Sequence, residues 1–307
     1  MNYVEKSKFY TESATELARE VNRLSRLVRD VVFQKALERF KLNGLTTMNT
    51  IPKNQGYFKY TPKQRDYVLS ETATPATCES DPESVRIAAG KPFRGDTDLL
   101  EKPYEICLTD CEGDLRMAVE KGEEAVAAVL LEKLYQRFWF GSPQLGQFGL
   151  TNHPLTEKIE STFTWAQASN NQIAQQLIEA MDGMSNPAVI VAQNAYRQSL
   201  GLSDENQLTN SCSLRGDCVT SIIQKQEGNL FTGAIKTSKD MSNRPEFAGQ
   251  NVALVYDMGS VFMNASDVIY LDAMPTPNGK KVKAMRMINT SGMHVEYADS
   301  LKLIVGI

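Results

Sequence analysis

The residues best suited to metal or thiol chemistry are five cysteines, Cys78, Cys107, Cys111, Cys212 and Cys218. Cys107-x3-Cys111 and Cys212-x5-Cys218 would supply four thiolates, the donor set of a structural zinc site. Neither spacing is that of a zinc ribbon or finger, and Cys107 reads as the end of a strand. An odd count spread over 307 residues also fails to make a disulfide framework. The expectation is reduced structural thiols and no metal. General acid–base chemistry has little to draw on, since the chain has two histidines, His153 and His294.

Ser142 lies in Gly141-Ser142-Pro143, which lacks the closing glycine of a GxSxG elbow and sits at a helix end. The sequence has no GxxxxGK phosphate loop and no GxGxxG after a strand. Asp114, Glu120, Glu123, Glu124 and Glu132 fall on one long helix with Lys121 and Lys133 between them, and read as its solvated face. Arg215-Gly216-Asp217 is an integrin-ligand tripeptide of the kind that arises often by chance. Catalytic, cofactor-binding and metal residues are therefore each expected to be none, and no cofactor is implied.

Composition agrees with a soluble globular chain, 42% apolar and 23% charged. A net charge of −4 argues against a dedicated nucleic-acid binder. No run approaches a membrane span, and the opening MNYVEKSKFY lacks a signal-peptide core, so no membrane partner and a cytoplasmic site of synthesis are expected.

The chain is organised around a long helix at 114–140. Thr109 and Glu112 have capping-box spacing at its start, while Gly141 and Pro143 stop it. At 1.5 Å per residue it would run roughly 40 Å, too long for a small domain to cover. Before it, Leu17, Val21, Leu24, Val28 and Val31 repeat at four- and three-residue steps, the mark of an amphipathic helix. That helix either packs on its own domain or docks as an arm on a neighbour. Residues 46–103 are broken repeatedly by proline and glycine, an excursion whose length suits a functional loop. Strands are expected there at 56–60, 67–69 and 85–89.

After the long helix, Thr164-x-x-Gln167 predicts a capped helix buried through Ile173, Ala174, Leu177, Ile178 and Met181 and ended by Gly183. A short apolar run at 188–191 and a helix at 192–200 follow. Beyond Cys218 the pattern turns to strands, at 219–224, 230–236, 251–257, 268–271, 281–288 and 293–297. The pair 219–224 and 230–236 flanks a hairpin turn at Glu227-Gly228-Asn229, and Asn289–Gly292 reads as the turn between the last two. The closing LKLIVGI should be tied into a sheet. The fold class is α+β.

This order of elements resembles that of major capsid proteins of the Johnson fold, shared by tailed-bacteriophage capsids and encapsulin shells. Four features carry the resemblance: the amphipathic N-terminal helix with the long turn-rich loop, the helix at 114–140, the stretch FWFGSPQLGQFGLTNHP, and the ending MHVEYADSLKLIVGI. In the third, Gly149, Leu150, Asn152 and Pro154 match the family's GL-x-N-x-P element after its spine helix. Asn289-Thr290-Ser291-Gly292 departs from the arginine and double glycine common in one branch.

The resemblance implies an N-terminal arm at 1–45, an extended E-loop region at 46–104, a peripheral domain from 105–154 and 261–307 with spine helix 114–140, and an axial domain at 155–260. It implies a structural, non-enzymatic protein of the virion. Such a protein would self-assemble through pentamers and hexamers into an icosahedral shell around double-stranded DNA bound without sequence specificity. Portal and scaffold or decoration proteins are the other partners implied. An encapsulin-like compartment with an enzyme cargo is the alternative reading, and an enzyme of unrecognised type the third. Some family members crosslink through an E-loop lysine; Lys53, Lys59, Lys63 and Lys91 lie in the matching loop, and solvated lysines are the plainer reading.

Overall fold

A computed structural model describes residues 3–38, 40, 44–63, 92–107, 114–165, 167–192, 219, 223, 235–238, 251–277 and 281–307. In chain order the elements are α1 (Tyr3–Glu38), β1 (Thr47–Thr50), β2 (Tyr57–Tyr60), β3 (Phe93–Asp96), β4 (Asp98–Cys107) and α2 (Leu115–Phe140). They continue with β5 (Glu157–Glu160), α3 (Asn170–Met181), β6 (Pro187–Ala192), β7 (Ile235–Ser238), β8 (Val252–Asp257), β9 (Val261–Ala265), β10 (Ile269–Pro275), β11 (Lys281–Val295) and β12 (Leu301–Val305). One sheet has the order β1-β9-β11-β10, with β4 also on β11; a second has the order β5-β12-β8-β6-β7; β2 and β3 form a two-stranded ribbon. The chain divides into two compact units: Met1–Phe58, Asp96–Phe138 and Met263–Gly292 form the first, and Lys59–Gly95, Trp139–Phe262 and Met293–Ile307 the second.

In the first unit α1 buries one stripe, Leu17, Ala18, Val21, Leu24, Val28 and Val32, against Ile106, Val119, Ala273, Val282 and Ala284. The helix therefore packs on its own chain. The expected seam is right as far as Val28 and then slips: Val32 is buried, while Val31 is 54% exposed. A straight helix of 3.6 residues per turn drifts off a seven-residue repeat, and by the fourth turn the buried position has moved one residue on. Asn22 adds a specific contact. The β10–β11 register shifts between Leu271 and Met274, and such a bulge breaks the ladder locally. The Asn22 side chain donates to the Ala273 carbonyl at 3.2 Å and accepts from its N–H at 2.6 Å, so both groups are satisfied.

Helix α2 begins where Asp114 accepts hydrogen bonds from the Arg116 and Met117 amides, which makes that carboxylate the N-cap. Thr109 and Glu112 lie outside the described residues. One expectation for this helix fails. Glu123 is buried, 4% exposed, and ion-pairs with the equally buried Arg286 of β11. A carboxylate becomes tolerable there because a guanidinium fills the same site. Gly122 lies beside it, and a Cβ at that position would fall 2.7 Å from the Tyr104 ring. Gly122→Ala is expected to lower stability by about 1–2 kcal/mol, because overpacking outweighs the helix-propensity gain. Urea denaturation checks this, and an unchanged midpoint would show that Tyr104 moves aside freely.

Strand β11 corrects a second expectation. Residues 281–288 and 293–297 are not two strands joined by a turn; a single strand runs Lys281–Val295. The residues that looked like a turn spend their polar groups on neighbours. Thr290 donates to the Asn264 carbonyl at 2.6 Å, and the Asn289 amide donates to the Ser266 hydroxyl at 3.0 Å. The Asn289 side chain also donates to the Gln55 carbonyl at 2.8 Å, which holds the loop ahead of β2.

The second unit is built on the sheet that contains the C-terminus. β12 lies between β5, parallel to it, and β8, antiparallel to it. The apolar ending is thus a central strand, as its composition required. α3 has a capping box, but not the expected one: Ser169 and Gln172 bond reciprocally, five residues past Thr164 and Gln167. Thr164 instead accepts from the Gln167 and Ala168 amides in a turn, beside the buried Trp165. Ile173, Ala174, Leu177 and Met181 are buried as expected. Val219 and Ile223, placed in a predicted strand, are helical and buried. Asp257, fully buried, accepts from the amides of Ser185, Asn186 and Gly259 at 2.9–3.0 Å and so joins the turn before β6 to the turn after β8. Ala192, expected to begin a helix, ends β6, and the rest of that helix, the expected strands at 67–69 and 85–89 and the turn at 227–229 lie outside the described residues.

Candidate functional site

The stretch that singled itself out in sequence, 139–154, is built to finish α2. A helix leaves its last carbonyls without intrahelical donors. Here the chain returns to supply them: Thr151 donates to the Trp139 carbonyl at 2.7 Å, and Asn152 donates to the Phe140 carbonyl at 3.1 Å. The Asn152 side chain also accepts from the Gly149 amide at 2.7 Å, which closes the turn. Gly141 leaves the helix with φ +59, a conformation that costs a side-chain-bearing residue dearly. Gly149 is needed for space, because its Cβ would fall 2.4 Å from the Phe140 nitrogen. Leu150 is fully buried. Pro143 opens a 3-10 turn, Pro143–Leu145, instead of continuing the helix.

Next to this turn, within the second unit, both histidines of the chain meet the ends of β2 and β3. Tyr60 and Phe93 stack with centroids 5.2 Å apart. The Tyr60 hydroxyl and His153 Nε2 are hydrogen-bonded at 2.9 Å, and the Tyr60 ring lies edge-on to His294 at 3.7 Å. Phe93 and Phe148 pack on His153 at 5.1 and 5.9 Å. The Leu155 amide donates to His153 Nδ1 at 3.2 Å, so that nitrogen is the acceptor and the neutral ring carries its proton on Nε2.

Burial pushes His153 down from the usual 6.5 to about 4, helped by the neighbouring His294, and burial alone pushes His294 down to about 4. The unfolded chain then binds protons that the folded chain does not, between about pH 6.5 and 4. Stability is therefore full above that window, falls as pH drops through it and levels off below. Between pH 7 and 5 the loss is expected to reach roughly 2 kcal/mol per ring. Thermal melts of the wild type and of His153→Asn across that range check this, and identical slopes would refute it.

Sequence comparison finds no matching family model and no matching curated protein. Comparison of structures does find likenesses. The capsid of Myoviridae phage XM1 matches over 87% of this chain and 91% of its own, with TM-score 0.57 and 12% identity. The capsid of the native GTA particle matches over 86% and 89%, with TM-score 0.58 and 10% identity, and that of the empty GTA particle over 86% and 88%, with TM-score 0.56 and 12% identity. The chain has the Johnson fold of tailed-phage capsids.

Of the residues weighed for chemistry, the structure brings the two histidines together at Tyr60. Cys107 ends β4 and is half-buried, while Cys78, Cys111, Cys212, Cys218 and the Arg215-Gly216-Asp217 tripeptide lie outside the described residues. Among the described residues no three His, Cys, Asp or Glu side chains cluster as metal ligands. Ser142 is buried, and its amide donates to the Gln147 carbonyl at 2.8 Å. Lys53 and Lys59 are exposed, Lys63 pairs with Glu296 at 2.7 Å, and Lys91 lies outside the described residues. Sequence reasoning missed the buried pair of Glu123 and Arg286, for which no local signal existed. The GL-x-N-x-P pattern did mark the turn that completes α2.

Proposed function

We propose that this chain is a major capsid protein that self-assembles, through pentamers and hexamers, into an icosahedral shell enclosing the double-stranded DNA of a tailed bacteriophage. The observation that carries the proposal is the likeness over nearly whole chains, 88–91% of each capsid subunit with a TM-score above 0.5. In this reading residues 1–45 are the N-terminal arm, 46–104 the E-loop region, 105–154 with 261–307 the peripheral domain, and 155–260 the axial domain. Portal and scaffold or decoration proteins complete the particle, which forms in the host cytoplasm. A closed shell requires heterologous contacts whose rotation closes. Each contact can be modest, because association bears ordering costs and many contacts act together. The small negative charge, −4, suits an inner face that encloses DNA without gripping it.

Negative-stain electron microscopy with light scattering of the purified protein tests this. Shells or five- and six-membered rings are expected. A monomer that persists at every concentration, alone and with co-expressed candidate scaffolds, would exclude the assembly reading. A deletion of 64–91 tests the E-loop assignment separately. It removes neither the buried Phe58 nor the buried Leu100, so a folded subunit that no longer closes shells is expected. Normal particles from that variant would show that the loop is no intersubunit clasp.

A further inference from the structure

The aromatic–histidine cluster of the second unit has a property that the capsid reading does not supply. Both histidines of the chain converge on the two residues that end β2 and begin β3. Tyr60 touches His153 through its hydroxyl and His294 through its ring, while Phe93 packs on His153. The chain thus has its whole complement of near-neutral switches at the root of one ribbon.

We propose that His153 and His294 form an acid-sensitive latch, which holds the ends of β2 and β3 through Tyr60 and Phe93 and lets go of them when the imidazoles take up protons.

The geometry of His153 explains why a proton is not accommodated. Its Nδ1 faces the Leu155 N–H at 3.2 Å, and its Nε2 faces the Tyr60 hydroxyl at 2.9 Å. In the neutral ring one nitrogen accepts and the other donates, so both contacts are satisfied. In the cation both nitrogens are donors. The proton on Nδ1 would then point at an N–H, and the Leu155 contact becomes repulsive. The surroundings give the charge little compensation. Phe93 and Phe148 pack against the ring, and His153 itself is 3% exposed. His294 presents a second group that gains the same sign of charge and, with burial, disfavours a proton on His153. Burial also raises the Tyr60 phenol, so Tyr60 stays neutral and offers no counter-charge. Among the described residues at this root Lys63 pairs with Glu296, two residues along from His294, at 2.7 Å.

Neighbouring elements make the release local. Strand β12 is hydrogen-bonded on both sides, to β5 and β8, with Leu301 and Ile304 fully buried. The β2–β3 ribbon has two strands, which in water are marginal without side-chain anchors. Acid should therefore loosen the ribbon while the sheet through β12 holds.

Hydrogen–deuterium exchange of the full chain between pH 7 and 4, corrected for the intrinsic rate at each pH, tests the latch. Amides of β2 and β3 are expected to lose at least tenfold in protection by pH 4 and to exchange ahead of β8 and β12, which follow the global stability. His153→Asn keeps an acceptor for the Leu155 amide and cannot titrate; it should flatten that response, whereas Glu296→Gln should leave it intact. Equal acid loss in wild type and His153→Asn would overturn the proposal, as would β2 and β3 amides that remain as protected as those of β12 at pH 4, or disappearance of the response in Glu296→Gln. Nitrogen-15 spectra of the wild-type imidazoles provide a reading that needs no variant. Protonation near pH 4 with the neutral proton on Nε2 of His153 supports the latch, and a midpoint between 6 and 7 overturns it.

Discussion

Glu123→Ala is expected to destabilise the chain by about 3–5 kcal/mol, which makes it one of the costliest single substitutions available. The reason lies in the completeness of the Arg286 site. A guanidinium has five N–H donors, and each finds an acceptor here. Nε donates to Glu123 at 2.9 Å, Nη1 to the Leu271 and Met285 carbonyls at 2.9 and 2.8 Å, and Nη2 to Ser25 at 2.7 Å and to Glu123. Ser25 in turn donates to Glu123 at 2.7 Å, and the Tyr104 hydroxyl donates to it at 2.9 Å. The Tyr104 and Tyr270 rings lie 5.5 and 5.0 Å from the guanidinium carbon. One charge pair thus joins α1, α2, β4, β10 and β11. Removal of the carboxylate leaves a cation that is 3% exposed with two donors unmatched.

The paired change Glu123→Leu with Arg286→Met should cost far less, since apolar residues of similar volume often replace a buried ion pair without loss. Ser25→Ala should cost only about 1 kcal/mol. Urea denaturation of these variants, analysed as a cycle, separates the pair from the desolvation it carries. A Glu123→Ala cost below 1 kcal/mol would show that water reaches Arg286 and that the network is not the junction described.

Gly149→Ala is the second large effect expected, roughly 3 kcal/mol or more, at the upper end of single substitutions. A Cβ there would meet three backbone atoms, the Phe140 nitrogen, the Trp139 carbonyl carbon and the Gly141 nitrogen, at 2.4–2.5 Å. Backbone cannot rotate away as a side chain can. The returning turn would have to separate from the helix end, and the Thr151 and Asn152 hydrogen bonds to the Trp139 and Phe140 carbonyls would go with it. Gly141→Ala should be nearly as severe, because it adds a φ of +59 to a Cβ 2.4 Å from the Gln147 carbonyl. Asn152→Ala removes the polar contacts without a clash and should cost about 1–2 kcal/mol. Gly56→Ala is the control, with nothing within 4 Å of its Cβ. Denaturation midpoints rank the four, and a Gly149→Ala protein as stable as Gly56→Ala would show that the turn does not need this close approach.

These two sites differ in how visible they were beforehand. The end of α2 was legible because its signals are local: a positive-φ glycine, a proline two residues on, and an Asn-containing turn within the reach of the last carbonyls. The closing strand was legible because an apolar heptapeptide has few places to go other than a sheet interior. The start of α3 was half legible. Ser/Thr-x-x-Gln occurs at both 164–167 and 169–172, and the capping rule accepts either. The second won because Trp165 is buried and its indole N–H donates to Gln176 at 2.8 Å, which needs Trp165 outside the helix.

What sequence alone determined is therefore the order and kind of the main elements, the class they make, and the turn at 141–154, since these rest on interactions between residues a few positions apart. Tertiary structure decided the rest. Glu123 looked solvated because its partner Arg286 is 163 residues away. Of β4 only the end at Cys107 showed in the sequence, and the rest lay in a turn-rich stretch, because its ladder is made with β11, which pairs Cys107 with Lys281 and Leu100 with Ile288. Asn289, Thr290 and Ser291 read as a turn because only the folded chain brings Asn264, Ser266 and Gln55 to accept or supply their hydrogen bonds. The two histidines, unremarkable 141 positions apart, become a single site only when β11 and the turn after α2 bring both to Tyr60. A polar residue's surroundings are set by partners that local pattern does not record, and in this chain those partners are mostly far away in sequence.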